Sequence, residues 1–156
     1  MGVICHFFLP FLTGGTLVSL ILKTLLWGTV TGIIHFIIIG ILYQNPIVSK
    51  IYNNEDSNPG VKQWPNQKKY IISMFLGTQV EIFILTISFI FLISILGKTL
   101  LNTLILACIF AGIRIYPRFW NMWIQTSYPN KLLIIEVING TIGTFIIIFG
   151  LYLMPI

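Results

Sequence analysis

The sequence predicts an all-α integral membrane protein that folds as a four-helix bundle. The chain has 156 residues, of which 56% are hydrophobic and only 8% are charged, and its apolar residues gather into long runs. Soluble domains have about 25% charged residues. A water-soluble fold of this size could not bury so much apolar surface, so lipid is the expected solvent. At this length the whole chain, residues 1–156, is expected to form a single transmembrane domain.

Each apolar run is long enough to cross the hydrocarbon core, which requires about 20 helical residues. Continuous hydrophobicity favours helices over strands, since alternation is absent and lipid forces backbone polar groups to pair within a segment. The segment Met1 to Thr16 is compatible with an interfacial stretch and with an extension of the first helix. The predicted transmembrane helices cover residues 17–43, 70–96, 99–116 and 131–153.

The first and third loops are each predicted to contain a short helix in the headgroup region. Pro46 in the first loop and Pro117 in the third suit the first turn of a helix, and apolar residues then recur on one face. Aromatic residues of these loops are interpreted as an ordinary aromatic belt, with a ligand groove as the alternative. The predicted interfacial lipid contacts are Phe119, Trp120, Trp123 and Trp64.

Basic residues concentrate on one side of the predicted topology. With four spans, the first and third loops share that side, whereas the opposite side has Lys98 and, if the first helix is long, Lys23. The positive-inside rule places the two loops on the cytoplasmic or matrix side and both termini on the opposite side. The net charge of +5 is therefore attributed to topology and lipid headgroups, and no nucleic-acid partner is expected.

Four polar residues fall near the middle of the apolar runs. A rise of 1.5 Å per residue places Glu81 about 16 Å from the basic side, near the midplane. His35, Gln79 and Asn139 come at about 12–14 Å. The four residues are predicted to form an intramembrane polar cluster, in which Glu81 is either neutral or hydrogen-bonded to another member. A functional role and a role in fixing helix register both remain open.

Arg114 and Glu136 lie at a shallower level and are predicted to form an ion pair. Small residues on the same helix faces, including the GxxxG pair of Gly28 and Gly32, allow close helix approach. A compact bundle whose interior holds Glu81 and Glu136 is therefore expected.

No motif for catalysis or for metal or cofactor binding is present in the sequence. It has no HExxH, no clustered His or Cys, no Gly-rich phosphate loop and no GxSxG. Cys5 and Cys108 form no CxxC pair. We therefore expect no enzyme activity, no cofactor and no metal.

Two stretches resemble a known family. The stretch GILYQNP with the following IVSKIY, and the opening of the last run, NKLLIIEVINGTIGTFIIIFGLYL, are similar to the uncharacterised membrane family called domain of unknown function 1761. The resemblance covers roughly Gly32 to Leu153, and residues 42–45 depart from the family's aromatic pair and small residue before the first-loop proline. It implies a four-span fold and no established activity, so it supplies no catalytic residues.

Three functions are compatible with these features. The first is a non-catalytic accessory or stabilising subunit of a larger membrane assembly, with membrane lipids and other subunits or a second copy as partners. The second is a small-solute or proton carrier in which Glu81 changes protonation. The third is a lipid- or quinone-binding protein that uses Trp120 and Trp123.

Overall fold

The computed structural model describes residues 14–62 and 64–155, and the first part of the segment Met1–Thr16 lies outside them. Within these ranges the elements are all α-helices, which confirms the predicted fold class. Four of them are long and apolar enough to cross a membrane. In chain order the helices are α1 (Gly14–Gln44), α2 (Pro46–Glu55), α3 (Gln67–Leu96), α4 (Leu100–Gln125) and α5 (Asn130–Tyr152).

Side-chain caps define where three of the helices begin. The Oδ1 atom of Asn45 accepts the backbone N–H two residues ahead at 3.0 Å, and Pro46 occupies the first turn of α2. Asn66 caps α3 in the same way, with a distance of 3.0 Å. Thr99 caps α4 through its hydroxyl, which accepts an N–H at 3.1 Å. These caps satisfy N–H groups that the first helical turn leaves without partners, so the short helix predicted in the first loop forms as α2.

The third loop contains no separate helix, which corrects the prediction. Its aromatic residues are helical, but they extend α4 past the predicted end at residue 116 to Gln125, with Pro117 inside the helix. Proline removes a single backbone N–H, and such a loss is tolerated in transmembrane helices. The true third loop is only the short connection between Gln125 and Asn130.

The connections lie alternately at the two ends of the bundle. Gly97, with φ of 85°, ends α3, and its N–H donates to the carbonyl of Ile93 at 2.9 Å. Lys98 in this turn donates to the carbonyl of Met154 at 2.5 Å, so the α3–α4 turn and the end of α5 share one end. At the other end, Gly60 of the first loop lies against the backbone of Ser127 in the third loop. We call these the turn end and the loop end.

Helix α1 packs between α3 and α5, and α5 packs most extensively on α4, whereas α3 and α4 touch each other only lightly. Glycines make these approaches possible, because each leaves a notch that a facing side chain fills. The pairs of glycine and facing side chain are Gly28 with Phe83, Gly32 with Gln79, Gly143 with His35, Gly150 with Thr31 and Gly140 with Ile115.

The apolar core occupies the half of the bundle nearer the turn end. Phe89, Ile82 and Ile147 are fully buried there, together with residues of α4. In the loop-end half, by contrast, the α3 segment 70–77 is mostly exposed. The light contact between α3 and α4 is therefore concentrated near their turn, and the two helices leave an open face towards the loop end.

We expect Gly60→Ala to destabilise the protein by about 1–3 kcal/mol, because the added methyl group would overlap the Ser127 carbonyl oxygen and force the two loops apart. Gly40→Ala is the matched control, since a Cβ there meets nothing within 4 Å. Unfolding of both variants in mixed micelles, titrated with a denaturing detergent, measures the difference. Equal free energies of unfolding for the two variants would contradict the contact between the loops.

Candidate functional site in the membrane interior

Three of the spanning helices bring a polar side chain to the same depth. By helical rise, Glu81 lies about 21 Å from the start of α3, which is the middle of this helix of 30 residues. Arg114 lies about 21 Å from the start of α4, and Thr144 about 21 Å from the start of α5. Since the hydrocarbon core is about 30 Å thick, these residues lie deep within it. With His35 of α1, described below, we call them the polar centre.

Arg114 connects three helices through its guanidinium group. Its Nε atom donates to Oε1 of Glu81, and its Nη2 atom donates to Oε2 at 2.7 Å. Its Nη1 atom donates to the hydroxyl of Thr144 at 3.0 Å, and that hydroxyl donates in turn to the Gly140 carbonyl at 2.9 Å. Bidentate pairing of arginine with a carboxylate is geometrically specific and stronger than a neutral hydrogen bond. The pair therefore joins α3 to α4, and Thr144 adds α5.

The predicted ion pair between Arg114 and Glu136 is wrong. Arg114 binds Glu81, whereas Glu136 binds residues nearer the loop end. The helix predicted from the sequence ends at residue 116, which places Arg114 only two residues from the loop. With α4 continuing to Gln125, Arg114 lies about 16 Å from that end of its helix, and Glu136 lies about 9 Å from the start of α5. The two residues are therefore at different depths.

The Glu81–Arg114 pair is open on one side. The Arg114 side chain is 16% exposed, but that of Glu81 is 41% exposed. Gly77, one turn away on α3, also faces open space. Because α3 packs only lightly on α4, the Glu81 side chain lies on a laterally open face at the middle of the span. We call the part of this surface formed by Gly77, Val80, Glu81 and Ile84 the α3 face.

His35 of α1 faces Gly143, the residue that precedes Thr144 on α5. The side chain is buried, with Nε2 in the notch at Gly143. Among the described residues its Nδ1 atom has no hydrogen-bond partner. His35 thus adds a side chain of α1 to the polar centre. It does not bond to Glu81, whose oxygens are bonded to Arg114.

Gln79 and Asn139 are also buried. Neither bonds to Glu81, although a hydrogen bond from a member of the polar cluster is one of the two predicted states of the carboxyl group. The amide nitrogen of Gln79 donates to the Gly28 carbonyl of α1 at 3.0 Å. Within the part of the chain that the structure describes, Gln79 Oε1 and Asn139 Nδ2 lack partners. The Glu81 carboxylate accepts its hydrogen bonds from Arg114. The predicted helix over residues 99–116 is too short, so the sequence does not place Arg114 at this depth. Gln79 instead holds α3 against α1.

A second polar group surrounds Glu136 nearer the loop end. The hydroxyl of Tyr52, on α2, donates to Glu136 at 2.7 Å, and Arg118 Nη2 lies 3.4 Å from the same carboxylate. The ring of Tyr43 contacts that of Tyr52 edge-on, with centroids 5.7 Å apart. Burial, and then the charge of Glu136, raises the pKa of Tyr52 far above its ordinary value, so the hydroxyl remains a donor. This group fastens α2 to the bundle.

The sequence offered a weak signal for this second group. Ile47, Val48, Ile51 and Tyr52 recur on one face of the short helix predicted after Pro46, but nothing in the position of Tyr52 indicates a carboxylate on the last helix. The predicted helix ends at residue 116, so Arg118 falls in a loop of the predicted topology although it lies within α4. The contact joins residues 84 positions apart, a separation that local patterns do not report.

The aromatic residues near the loop end are largely exposed. Trp120 is 43% exposed and Trp123 is 53% exposed, and their rings lie 5.4 Å apart along α4. Trp64, in the first loop, is 40% exposed, with Lys62 above its ring at 4.7 Å. Phe119 is partly buried. Their contact with interfacial lipid stays a prediction.

The site does not resemble a metal centre, because the described residues contain no group of three or more His, Cys, Asp or Glu side chains that could hold a metal ion. The geometry defines a four-span α-helical protein with an ion pair at mid-depth. No family model, curated protein or solved structure matches the chain.

We expect Arg114→Gln to lower the free energy of unfolding by about 3 kcal/mol, because it leaves the Glu81 carboxylate unpaired near the middle of the bilayer. The double variant Glu81→Gln/Arg114→Gln should recover most of this loss, since two neutral amides can bond to each other. Unfolding titrations in mixed micelles give both values.

Arg118→Gln is the matched control for that cycle, because Arg118 is 64% exposed and its contact with Glu136 is long at 3.4 Å. A loss below about 1 kcal/mol is expected for it. If the double variant were as unstable as Arg114→Gln alone, the pair would not carry the stability that we assign to it.

Proposed function

We propose that the protein is a non-catalytic membrane subunit whose α3 face docks on a transmembrane helix of a partner subunit. One observation carries this proposal: the Glu81 side chain is 41% exposed at mid-depth although Arg114 binds both of its carboxylate oxygens. The polar residues otherwise face the bundle, where His35, Gln79 and Asn139 are at least nine-tenths buried.

The physical reason lies in the cost of charge in lipid. An ionised side chain at the bilayer centre costs at least about 2.5–3.5 kcal/mol, and pairing with Arg114 offsets part of this cost. The exposed part of the Glu81 side chain still meets acyl chains in an isolated bundle. A partner helix that presents a hydroxyl, an amide or another donor would cover this side and bond to it. Gly77 leaves room for such a helix to approach closely.

In this proposal the loop end faces the cytoplasm or the matrix. Lys50, Lys62, Lys68 and Lys69 lie in or next to the first loop, and Lys131 opens α5 at the same end, whereas Lys98 lies at the turn end. The excess of basic residues at the loop end supports this orientation by the positive-inside rule. Membership of the family called domain of unknown function 1761 is part of the same proposal, since that family implies four spans and supplies no catalytic residues.

Photo-cross-linking in native membranes tests the docking face. A benzophenone amino acid is placed at Val80, which is 60% exposed beside Glu81, or at Ile37 of α1, which is 56% exposed. We expect the probe at Val80 to give a discrete protein adduct whose mass identifies the partner. The probe at Ile37, equally exposed but away from the open face, should give lipid adducts.

Lipid adducts alone from Val80 would contradict the proposal. A protein adduct containing a second copy of this chain would mean that the face serves self-association instead of a distinct partner. Val80→Trp provides a second measure, because its bulk should prevent docking while the bundle still folds.

A proton or solute carrier is the second candidate, favoured by the buried polar atoms that lack partners in the described ranges, on His35, Gln79 and Asn139. Such atoms can line a path for water or a polar solute. Against a role for Glu81 in carrying protons stands its bidentate bond to Arg114, which engages both carboxylate oxygens.

Liposomes containing the purified protein separate the two candidates. We expect them to dissipate an imposed pH gradient no faster than protein-free liposomes, because Arg114 already engages both carboxylate oxygens of Glu81. The wild type and Glu81→Gln should therefore give equal rates. A faster, pH-dependent flux that Glu81→Gln abolishes would favour the carrier over the subunit.

A further inference from the structure

A second candidate site lies inside the bundle, where two buried polar atoms come to the same stretch of α1. They are Nδ1 of His35, on α1, and Oε1 of Gln79, on α3, and within the described ranges neither has a hydrogen-bond partner. His35 is 5% exposed and Gln79 is 9% exposed. Polar atoms buried to this extent are normally bonded to protein or to ordered water. We call these two atoms and their surroundings the interior niche.

The hydrogen bond of Gln79 to α1 determines which amide atom is the free acceptor. Its Nε2 atom donates to the Gly28 carbonyl at 3.0 Å, and exchanging the two amide atoms would set one oxygen against another. Oε1 therefore lies over Gly32, so close that a Cβ on this glycine would overlap it. Because the side chain is held at Nε2, its Oε1 atom requires a donor that lies near Gly32.

The ring of His35 directs its Nδ1 atom away from α5. The edge formed by Nε2 and Cδ2 lies in the notch at Gly143, and Nδ1 is the ring atom across from that edge. Residues three apart on a helix have Cβ positions about 5–6 Å apart, so His35 is a neighbour of Gly32 and of the Gln79 oxygen above it. An imidazole Nδ1 atom can donate or accept, according to the tautomer.

We propose that the interior niche binds a water molecule that bridges Nδ1 of His35 and Oε1 of Gln79. Two hydrogen bonds of about 2.8 Å each span the separation of neighbouring side chains, and water supplies the donor that Oε1 requires. The burial of both side chains restricts the occupant to a molecule of about this size. The bridge ties α1 to α3 beside the polar centre, and it is independent of docking at the α3 face.

Apolar side chains close the niche towards the turn end. On α3, Ile82 follows Gln79 within one helical turn and Phe89 lies further along, and both are fully buried. Ile147 of α5 is fully buried in the same core. A water molecule in the niche is therefore bound at one place and does not form a path across the bundle. The proposal accordingly leaves the equal fluxes expected for liposomes unchanged.

Solid-state NMR of the full-length protein in lipid bilayers tests the proposal. Histidine is labelled with nitrogen-15, and His6, the other histidine of the chain, is replaced by Gln so that only His35 gives imidazole signals. Magnetisation is then transferred from water protons to the protein. We expect a cross peak between water and Nδ1 of His35. Gln79→Leu should lose this cross peak, because leucine fills a similar volume but offers no acceptor to the water.

Thr86→Val is the matched control, because Thr86 is also a fully buried polar residue of α3, but its hydroxyl already donates to the Ile82 carbonyl at 2.8 Å. This variant should keep the water cross peak at its wild-type intensity. Circular dichroism and unfolding titration establish that both variants fold.

The proposal would be overturned if Nδ1 of His35 showed no cross peak with water in the otherwise unchanged protein. It would also be overturned by a coupling across a direct hydrogen bond between His35 and Gln79, since the protein itself would then supply the partner. Cross peaks of equal intensity in Gln79→Leu and Thr86→Val would refute the bridge to Gln79.

Discussion

The bond between Arg114 and Glu81 is the constraint on which the rest of the bundle depends. Both side chains lie deep in the span, where neither could remain charged alone at a tolerable cost. The two helices that carry them touch only lightly, so the pair bridges a place where apolar packing is thin. Thr144 on α5 fixes the third guanidinium nitrogen, and the neighbouring notch at Gly143 fixes His35 of α1. One arginine thus sets the depth and the rotation of three helices, and the fourth packs beside it.

The two groups of polar residues lie at different depths and differ in role. The group around Glu136 lies near the loop end and fastens α2 to α5 through Tyr52, which is a structural task. The polar centre lies deeper, and its Glu81 side chain is partly exposed on one side. Such exposure is not needed for a purely structural role. The α3 face is consequently available for an occupant from outside the bundle. It presents a charge at mid-depth and suits a protein helix with a hydrogen-bond donor.

Much of the fold follows from hydrophobic periodicity and length, but the pairing of polar residues does not. The four spans, the first-loop helix and the depth of Glu81 were predictable, because each depends on local sequence. The partner of Glu81 was not, since it depended on where α4 ends. Pro117 suits the first turn of a helix, so the sequence predicts that the preceding span ends before it. The helix instead continues through Pro117, and the predicted end at residue 116 therefore placed Arg114 at the wrong depth. Gly28 and Gly32 signalled a close contact, but only packing shows that Phe83 and Gln79 fill their notches. Tyr52 and Glu136 meet across 84 positions, beyond the reach of any local pattern.

Infrared spectroscopy of the protein in lipid bilayers tests the central claim most directly. Substitution of Glu81 by Gln removes a single carboxyl group from the membrane interior, so the difference spectrum reports its charge state in place. If Arg114 binds the ionised form, the wild type should show a carboxylate band that the variant lacks. The guanidinium band of Arg114, assigned by isotope labelling of arginine, should also change frequency when Glu81 is replaced. A protonated carbonyl band that disappears in Glu81→Gln, with the arginine band unchanged, would contradict the account.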